Sequence, residues 1–344
     1  MSLETVPLAD GIEMVADPVI EADGQCAHVM ALHIDPRSEF HPGVIRCIVK
    51  RTGSVHVSGY VDWSRIHTVE MDSRYEARLG PELHISGAEE VVSDLAGDSA
   101  YDFLGFEDPN IWCRPEAETV HLYYTIPFFE RYSGDICFYL GHAEGPDVAS
   151  LTMTEPVLGP VADVHSGAKE VAIAPRASDG TRYNLVESND TRADTSYSVL
   201  RTAIAQDLSG PWEFGDLAFH PAEDGYDWCR GHVSPGPFLP CEFLDPGVDR
   251  VVGLLNGRGA NHVVDGKIRY GEFDVGLLVY DYERGDVEWI SDEPILRDPD
   301  AETITFASAF RQIEPNRGVL YAHVDDSYVR AYLVDADALA PLLP

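Results

Sequence analysis

Apolar residues in this chain come in short runs separated by clusters of Gly, Pro, Asp and Asn. Val44-Ile45-Arg46-Cys47-Ile48-Val49, Val120-His121-Leu122-Tyr123-Tyr124-Thr125 and Val251-Val252-Gly253-Leu254-Leu255 are representative. β-Branched and aromatic residues dominate these runs, and apolar positions at helical spacing are nearly absent, so the runs read as β-strands. With 23 Pro and 29 Gly to turn the chain between them, the pattern predicts an all-β fold of antiparallel hairpins.

A weak internal repeat sharpens this expectation. A strand of small and apolar residues leading into an acidic turn recurs at Val57–Trp63, Cys137–Ala143, Thr202–Leu208, Gly276–Asp281 and Val329–Asp335. Each copy follows a second kind of strand, at Arg46–Arg51, Leu122–Thr125, Tyr183–Glu187, Leu254–Arg258 and Val319–His323. A repeat of roughly 55–80 residues matches the four-stranded blade of a propeller. The expectation is a five-bladed β-propeller forming one domain over residues 1–344, with blades across about 40–339 and residues 1–39 supplying a closing N-terminal strand. A two-sheet sandwich is the competing architecture. Propeller blades would line a central funnel where polar residues from every blade converge.

Composition bounds the function. The 59 Asp and Glu against 24 Lys and Arg give a net charge of −35, spread along the whole chain. Disorder does not fit 44% hydrophobic and 10% aromatic residues. Salt screens the self-repulsion of such a charge, so the balance points to a halophilic protein of a salt-rich cytoplasm. Lysine occurs only at positions 50, 169 and 267. A phosphate backbone needs basic patches, so nucleic acid is not an expected partner. No run approaches the length of a membrane helix, and the N-terminus shows no basic-then-apolar leader. The six cysteines form no Cys-x-x-Cys pair and have no zinc-type spacing to His, so buried reduced thiols are expected, with no metal or other cofactor.

The segment with most chemical promise is Gly105-Phe106-Glu107-Asp108-Pro109-Asn110, where adjacent carboxylates precede a proline. Pro109 disfavours helix at Asp108 and should hold both acids at a strand entrance. By itself such a segment is most simply an Asp-Pro turn. Gly257-Arg258-Gly259 lacks the Lys-Ser/Thr of a nucleotide-binding loop.

In order along the chain, this segment and others resemble glycoside hydrolase family 130, five-bladed propellers that phosphorolyse or hydrolyse β-mannosides. The resemblance spans about Phe40 to Leu339 and is carried by Phe40-His41-Pro42-Gly43, Val49-Lys50-Arg51, Gly105–Pro109 with Tyr123-Tyr124-Thr125, Lys169-Glu170 with Ala174-Pro175 and Tyr183, and Pro294-Ile295-Leu296 with Phe306–Ala309. It implies Asp108 as proton donor beside Glu107, with sugar or phosphate contacts from His41, Arg51, Lys169, Arg230, His232, Asn256, Arg258 and His323. A last-blade Asp also touches ligand in the family; Asp325 or Asp326 fills that place, and the sequence does not separate them. Trp112, Tyr226 and Trp228 are aromatic candidates for stacking on a sugar ring.

The sequence departs from the family where phosphate would bind. Lys169 is retained and Arg230 replaces a family Lys, but Glu187-Ser188 stands where a third-blade Arg is expected and Leu255-Asn256-Gly257 where Tyr-His-Gly is expected. Asn110 stands in for the Arg that ends the signature. A carboxylate opposed to phosphate costs affinity. Inverting hydrolysis instead needs a second carboxylate as base, with Glu187 and Glu170 the candidates. The leading expectation is an enzyme hydrolysing a β-linked, mannose-containing oligosaccharide with inversion. Two alternatives stand beside it: an inverting phosphorylase using inorganic phosphate, and a carbohydrate-binding propeller without catalysis. An apolar outer blade face would allow a homo-oligomer.

Overall fold

Five antiparallel sheets are arranged in a ring. The computed structural model describes residues 3–37, 42–97, 100–114, 118–161, 166–193 and 195–344. From the axis outward, blade 1 consists of His28–His33, Gly43–Thr52, Val61–Ser73 and Glu76–Glu82. Blade 2 runs Glu107–Trp112, Val120–Glu130, Ile136–Gly145 and Thr152–Met153, with Tyr101–Phe103 also paired to its second strand. Blade 3 is Lys169–Ala172, Arg182–Arg192, Thr195–Ala205 and Glu213–Phe219. Blade 4 is His232–Phe238, Arg250–Arg258, Phe273–Asp281 and Asp286–Ile290. Blade 5 combines Thr305–Glu314, Arg317–Val324 and Tyr328–Asp335 with Ile12–Val15 from the other end of the chain.

The innermost strands of blades 1 to 5 each contact the next, and that of blade 5 returns to that of blade 1. This is the five-bladed β-propeller expected from the repeat. The recurring phrases are the second and third strands of the blades. Second strands are sandwiched between blades and so are almost continuously apolar, as in Val120–Phe128, while third strands leave the core through an acidic turn. The innermost strands follow less regular sequences, and blade 1 begins at His28, ahead of the Phe40 start of the resemblance.

The core is not one mass. Buried apolar side chains form five large clusters, each filling the gap between two adjacent blades: Ile45 with Tyr321, Ile66 with Leu122, Tyr123 with Val186, Leu185 with Leu255, and Leu254 with Leu320. Burying each blade's face against the next makes the ring rigid, because no blade can leave without exposing two such layers.

Every innermost strand carries a register shift: between Met30 and His33, between Glu107 and Asn110, between Lys169 and Val171, between Pro235 and Phe238, and between Ala307 and Ala309. Bulges re-aim side chains, and here they sit around the axis. In blades 1, 2 and 3 the extra residue has a left-handed backbone: Ala31 (φ 51°), Asp108 (φ 48°) and Glu170 (φ 49°). Asp108 thus avoids the right-handed helical region that Pro109 disfavours, at the entrance of its strand; Asp tolerates the left-handed region because its short polar side chain can satisfy nearby backbone.

A glycine three residues before each of the two acids makes this possible. Gly105 (φ 108°) and Gly167 (φ 122°) each make one parallel bridge to the third strand of the preceding blade. A Cβ there would lie 1.8 Å from the Ser64 carbonyl oxygen and 1.7 Å from that of Phe138. Only glycine permits the approach that tucks each acid-bearing strand against its neighbour.

The cysteine expectation fails at one pair. Cys26 and Cys47 are joined by a disulfide that ties the segment before the first inner strand to the second strand of blade 1. Sequence spacing did not reveal it, because the partners meet through strand pairing, with Ala27 bonded to Ile48. Cys113 and Cys229 are buried free thiols, and Cys241 is exposed. Among the described residues no helix is long and apolar enough to cross a membrane.

Candidate active site

The axis-facing bulges bring together two charged clusters. The first is organised by Arg46, the one charged residue in an otherwise apolar strand segment. Its Nη1 donates to Asp108 Oδ1 at 2.8 Å, Nη2 to Glu107 Oε1 at 2.6 Å and Nε to Ser64 Oγ at 2.9 Å. Ser64 in turn donates to Glu107 Oε1 at 3.0 Å. Burial opposes the Arg46 charge, but Asp108, Glu107 and Asp62 outweigh it and hold its pKa well above the usual value. Burial drives Glu107 the other way, up to about 7 despite Arg46, because Asp108 adds like charge.

Arg51 extends this cluster across the funnel. It grips Asp62 through two bonds, Nε to Oδ1 at 2.7 Å and Nη2 to Oδ2 at 2.8 Å, and reaches within 3.8 Å of Asp326. His323 accepts the Ala31 N–H at Nδ1 (3.3 Å), which fixes the proton on Nε2, 3.3 Å from Asp326 Oδ1. Burial works against ionised Asp326, but His323 and the two arginines outweigh it and lower its pKa.

The second cluster lies on blades 3 and 4. Lys169 Nζ and His232 Nε2 both lie 3.2 Å from one oxygen, Glu187 Oε1. The Glu187 side chain is only 2% exposed. Burial opposes its charge, yet Lys169 and then His232 pull its pKa far below the usual carboxylate range. Burial pushes His232 down to about 4 against the pull of Glu187, so the ring is neutral at neutral pH and donates Nε2–H.

Glu170 is the contrasting acid. Among the described residues its carboxyl group has no hydrogen-bond or ion-pair partner. Burial, then the charge of Asp108, raises its pKa well above the usual value, with Lys169 opposing. Two carboxyl groups, Glu170 and Glu187, thus project from paired strands of one blade with opposite tendencies.

Tyr60 spans the two clusters. It packs against the Arg51 guanidinium, 5.6 Å from the ring centroid. Burial raises its hydroxyl pKa, and the next contributors are Asp326, then Lys169, so the hydroxyl is in electrostatic reach of both. Arg258 closes the blade 4 side, its guanidinium 4.2 Å from the Tyr270 ring centroid and 5.4 Å from that of Phe273. Among the described residues its buried Nε has no hydrogen-bond partner.

The structure therefore brings together Arg51, Glu107, Asp108, Lys169, Glu170, Glu187, His232, Arg258 and His323. Three other expected residues do other work. Arg230 is exposed and pairs with Asp227 at 3.2 Å, in the turn that precedes the inner strand of blade 4. Asn256 is fully buried and clamps the Ala307 peptide, accepting its N–H at 2.7 Å and donating to its carbonyl at 3.0 Å. Asp325 caps the Glu302–Ile304 turn, accepting three backbone N–H groups at 2.8–2.9 Å, so Asp326 is the funnel-facing acid. His41 lies outside the described residues.

Nor do the aromatic candidates reach the funnel. Trp112 ends its strand under Arg182, Trp228 donates Nε1–H to the Ser291 carbonyl, and Tyr226 is exposed. Asn110 donates to the Val171 carbonyl at 2.7 Å and so braces blade 2 against blade 3. Arg46, Asp62, Ser64 and Tyr60 were not singled out from sequence. Arg46 carried the clearest signal, since a lone charge inside an apolar strand must be paired.

Outside these clusters, two groups of described side chains have the composition of metal ligands: Cys26, Cys47 and His67, whose sulfurs are bonded to one another, and His121, His142 and Glu144.

Neither a protein-family sequence model nor a curated protein sequence matches this chain. Solved structures do share its fold. One, described as showing that the GH130 family of mannoside phosphorylases contains glycoside hydrolases that target β-1,2-mannosidic linkages in Candida mannan, superposes with a TM-score of 0.67 at 15% identity, covering 97% of each chain. A β-1,2-mannobiose phosphorylase from Listeria innocua, in complex with β-1,2-mannobiose, gives 0.63 at 12% identity over 98% of this chain and 94% of that one. The catalytic domain of a Coprinopsis cinerea GH62 α-L-arabinofuranosidase gives 0.52 at 10% identity, over 97% and 99%.

Proposed function

We propose that this chain is an enzyme that hydrolyses a β-linked, mannose-containing oligosaccharide with inversion. The observation that carries the reading is that Lys169 and His232, the groups best placed to hold a phosphate dianion, both contact Glu187 Oε1. An internal carboxylate takes the place of an external anion, which leaves water as the nucleophile.

In this reading Asp108 and Glu170 supply the acid. Burial and the Asp108 charge favour the protonated form of Glu170, the form a general acid requires. Arg46 fixes the orientation of Asp108 and Glu107. Glu187 serves as the base, with Oε1 anchored by Lys169 and His232. A carboxylate held so firmly ionised orients water more than it removes its proton, which suits an oxocarbenium-like transition state. Arg51, Tyr60, Asp326 and His323 present donors and acceptors for sugar hydroxyls.

Phosphorolysis is the second reading, favoured by Arg258, whose buried Nε has no partner among the described residues and would suit an anion. The test of the enzymatic reading is turnover of β-1,2-mannobiose and longer β-mannosides by the parent, Asp108→Asn and Glu170→Gln. The parent should release sugar, and each variant should lose at least about a hundredfold in kcat. Glycan binding without turnover in the parent would overturn it in favour of a binding propeller.

A further inference from the structure

A second constellation lies at the opposite face of the propeller. The inner strand of blade 2 runs from Glu107 at the funnel acids to Trp112 at its far end, where Trp112 pairs with His121. There His121 Nδ1 lies 3.0 Å from His142 Nε2 and 3.6 Å from Glu144 Oε2. The strand register brings these groups together, since His121 is opposite Glu144 and Tyr123 opposite His142.

The surrounding hydrogen bonds orient the three groups. Thr154 Oγ1 is 2.9 Å from His142 Nδ1 and 2.9 Å from the Glu155 carbonyl oxygen. Two oxygens that close require the hydroxyl proton between them, so Thr154 donates to Glu155 and accepts His142 Nδ1–H. His142 Nε2 is then a bare lone pair facing His121. Glu144 Oε2 accepts from Ser209 Oγ at 2.8 Å.

We propose that His121 Nδ1, His142 Nε2 and Glu144 Oε2 hold a zinc-type divalent ion. With ligand bonds of about 2.05–2.1 Å, separations of 3.0 and 3.6 Å correspond to angles at the ion of about 95° and 120°, within the range of four-coordinate N/O sites. Thr154 and Ser209 are the outer partners such ligands normally have, a hydrogen bond to the second histidine nitrogen and one to the carboxylate. Binding needs only a tautomer change: the proton on His121 Nδ1 moves to Nε2, and none leaves.

His121 also lines a groove of about 390 Å³, together with Trp112, Arg114, Arg176 and Arg182. Among the described residues none of these arginines forms an ion pair. They oppose a bare cation, while Glu144 and Asp207 favour one. An anionic fourth ligand, a carboxylate or phosphate oxygen, would satisfy both sides. This site stands independently of the glycoside reading, since it shares no residue with the funnel.

The test is calorimetric titration of the chelator-treated full chain with Zn²⁺ in concentrated KCl, repeated with Co²⁺ for its visible absorption. One ion per chain should bind, with the intense absorption of four-coordinate Co²⁺. Glu144→Gln, at a side chain 40% exposed, and His121→Gln should each weaken Zn²⁺ at least tenfold. Because His142 is fully buried, these two variants carry the test, with thermal melting as the check that they fold. A parent isotherm indistinguishable from those of the two variants, or only the weak absorption of six-coordinate Co²⁺ on surface carboxylates, would overturn the site.

Discussion

Lys169 and Glu187 face each other across paired strands of blade 3, with Nζ 3.2 Å from Oε1. His232 meets the same oxygen from blade 4. This pairing decides how the site treats anions. If Glu187 substitutes for phosphate, removing it should free its two partners. Glu187→Ala should therefore gain phosphate affinity while losing sugar release, and phosphate should raise Tm in the variant but not in the parent. Equal Tm shifts in both would contradict this role.

Arg46 holds Glu107 and Asp108 in a site where its side chain is 9% exposed. Replacing it by Ala leaves buried carboxylates without their cation, which should cost about 3–5 kcal/mol of stability. Arg46→Lys keeps the charge but cannot reach Ser64, Glu107 and Asp108 at once, so it should recover part of that stability without recovering turnover. Denaturant unfolding and kcat together check this, and full activity in Arg46→Lys would remove Arg46 from the positioning role.

Acid sensitivity should trace partly to His33, which accepts the Ile111 N–H at Nδ1 (3.3 Å). Burial pushes its pKa down to about 4. Between the unfolded value near 6.5 and that level, the unfolded chain binds the proton that the folded chain refuses, so stability falls as pH falls through this window. The loss should reach about 3 kcal/mol at the bottom of it. His33→Gln can accept the same N–H and cannot be protonated, so its Tm should decline less steeply from pH 6.5 to 4. Parallel Tm curves would assign the acid loss elsewhere.

The Cys26–Cys47 disulfide, with a sequence separation of 21, should contribute about 3 kcal/mol by restricting the unfolded chain. Cys26→Ser with Cys47→Ser should lower the unfolding free energy by that amount, and a dithiol reductant should do the same to the parent without further effect on the variant. A parent insensitive to reductant would count against this contribution.

Much of the fold was legible because the second strands of the blades are buried on both faces and so are largely apolar, as at Val120–Phe128. The innermost strands were not, since bulges, left-handed residues and funnel chemistry break their pattern, as at Glu107–Asn110 and Lys169–Val171. Asp108 was legible through its Glu-Asp-Pro segment, and Glu170 through the Lys169-Glu170 dipeptide; the left-handed bulges that aim both acids were not. Asp325 and Asp326 were left unseparated because adjacent acids in one turn are divided only by backbone geometry, one capping the turn and the other facing the axis. Asn256 and Arg230 were misread for a similar reason: residue type alone does not distinguish a ligand contact from a buried clamp or a surface ion pair.

The most direct measurement of the central claim follows β-1,2-mannobiose cleavage by phosphorus and proton NMR in phosphate-free, high-salt buffer, then again with inorganic phosphate added. The account predicts free mannose released at the same rate in both, with the newly formed anomeric hydroxyl inverted and no sugar phosphate. Release that requires phosphate and yields mannose 1-phosphate would contradict it.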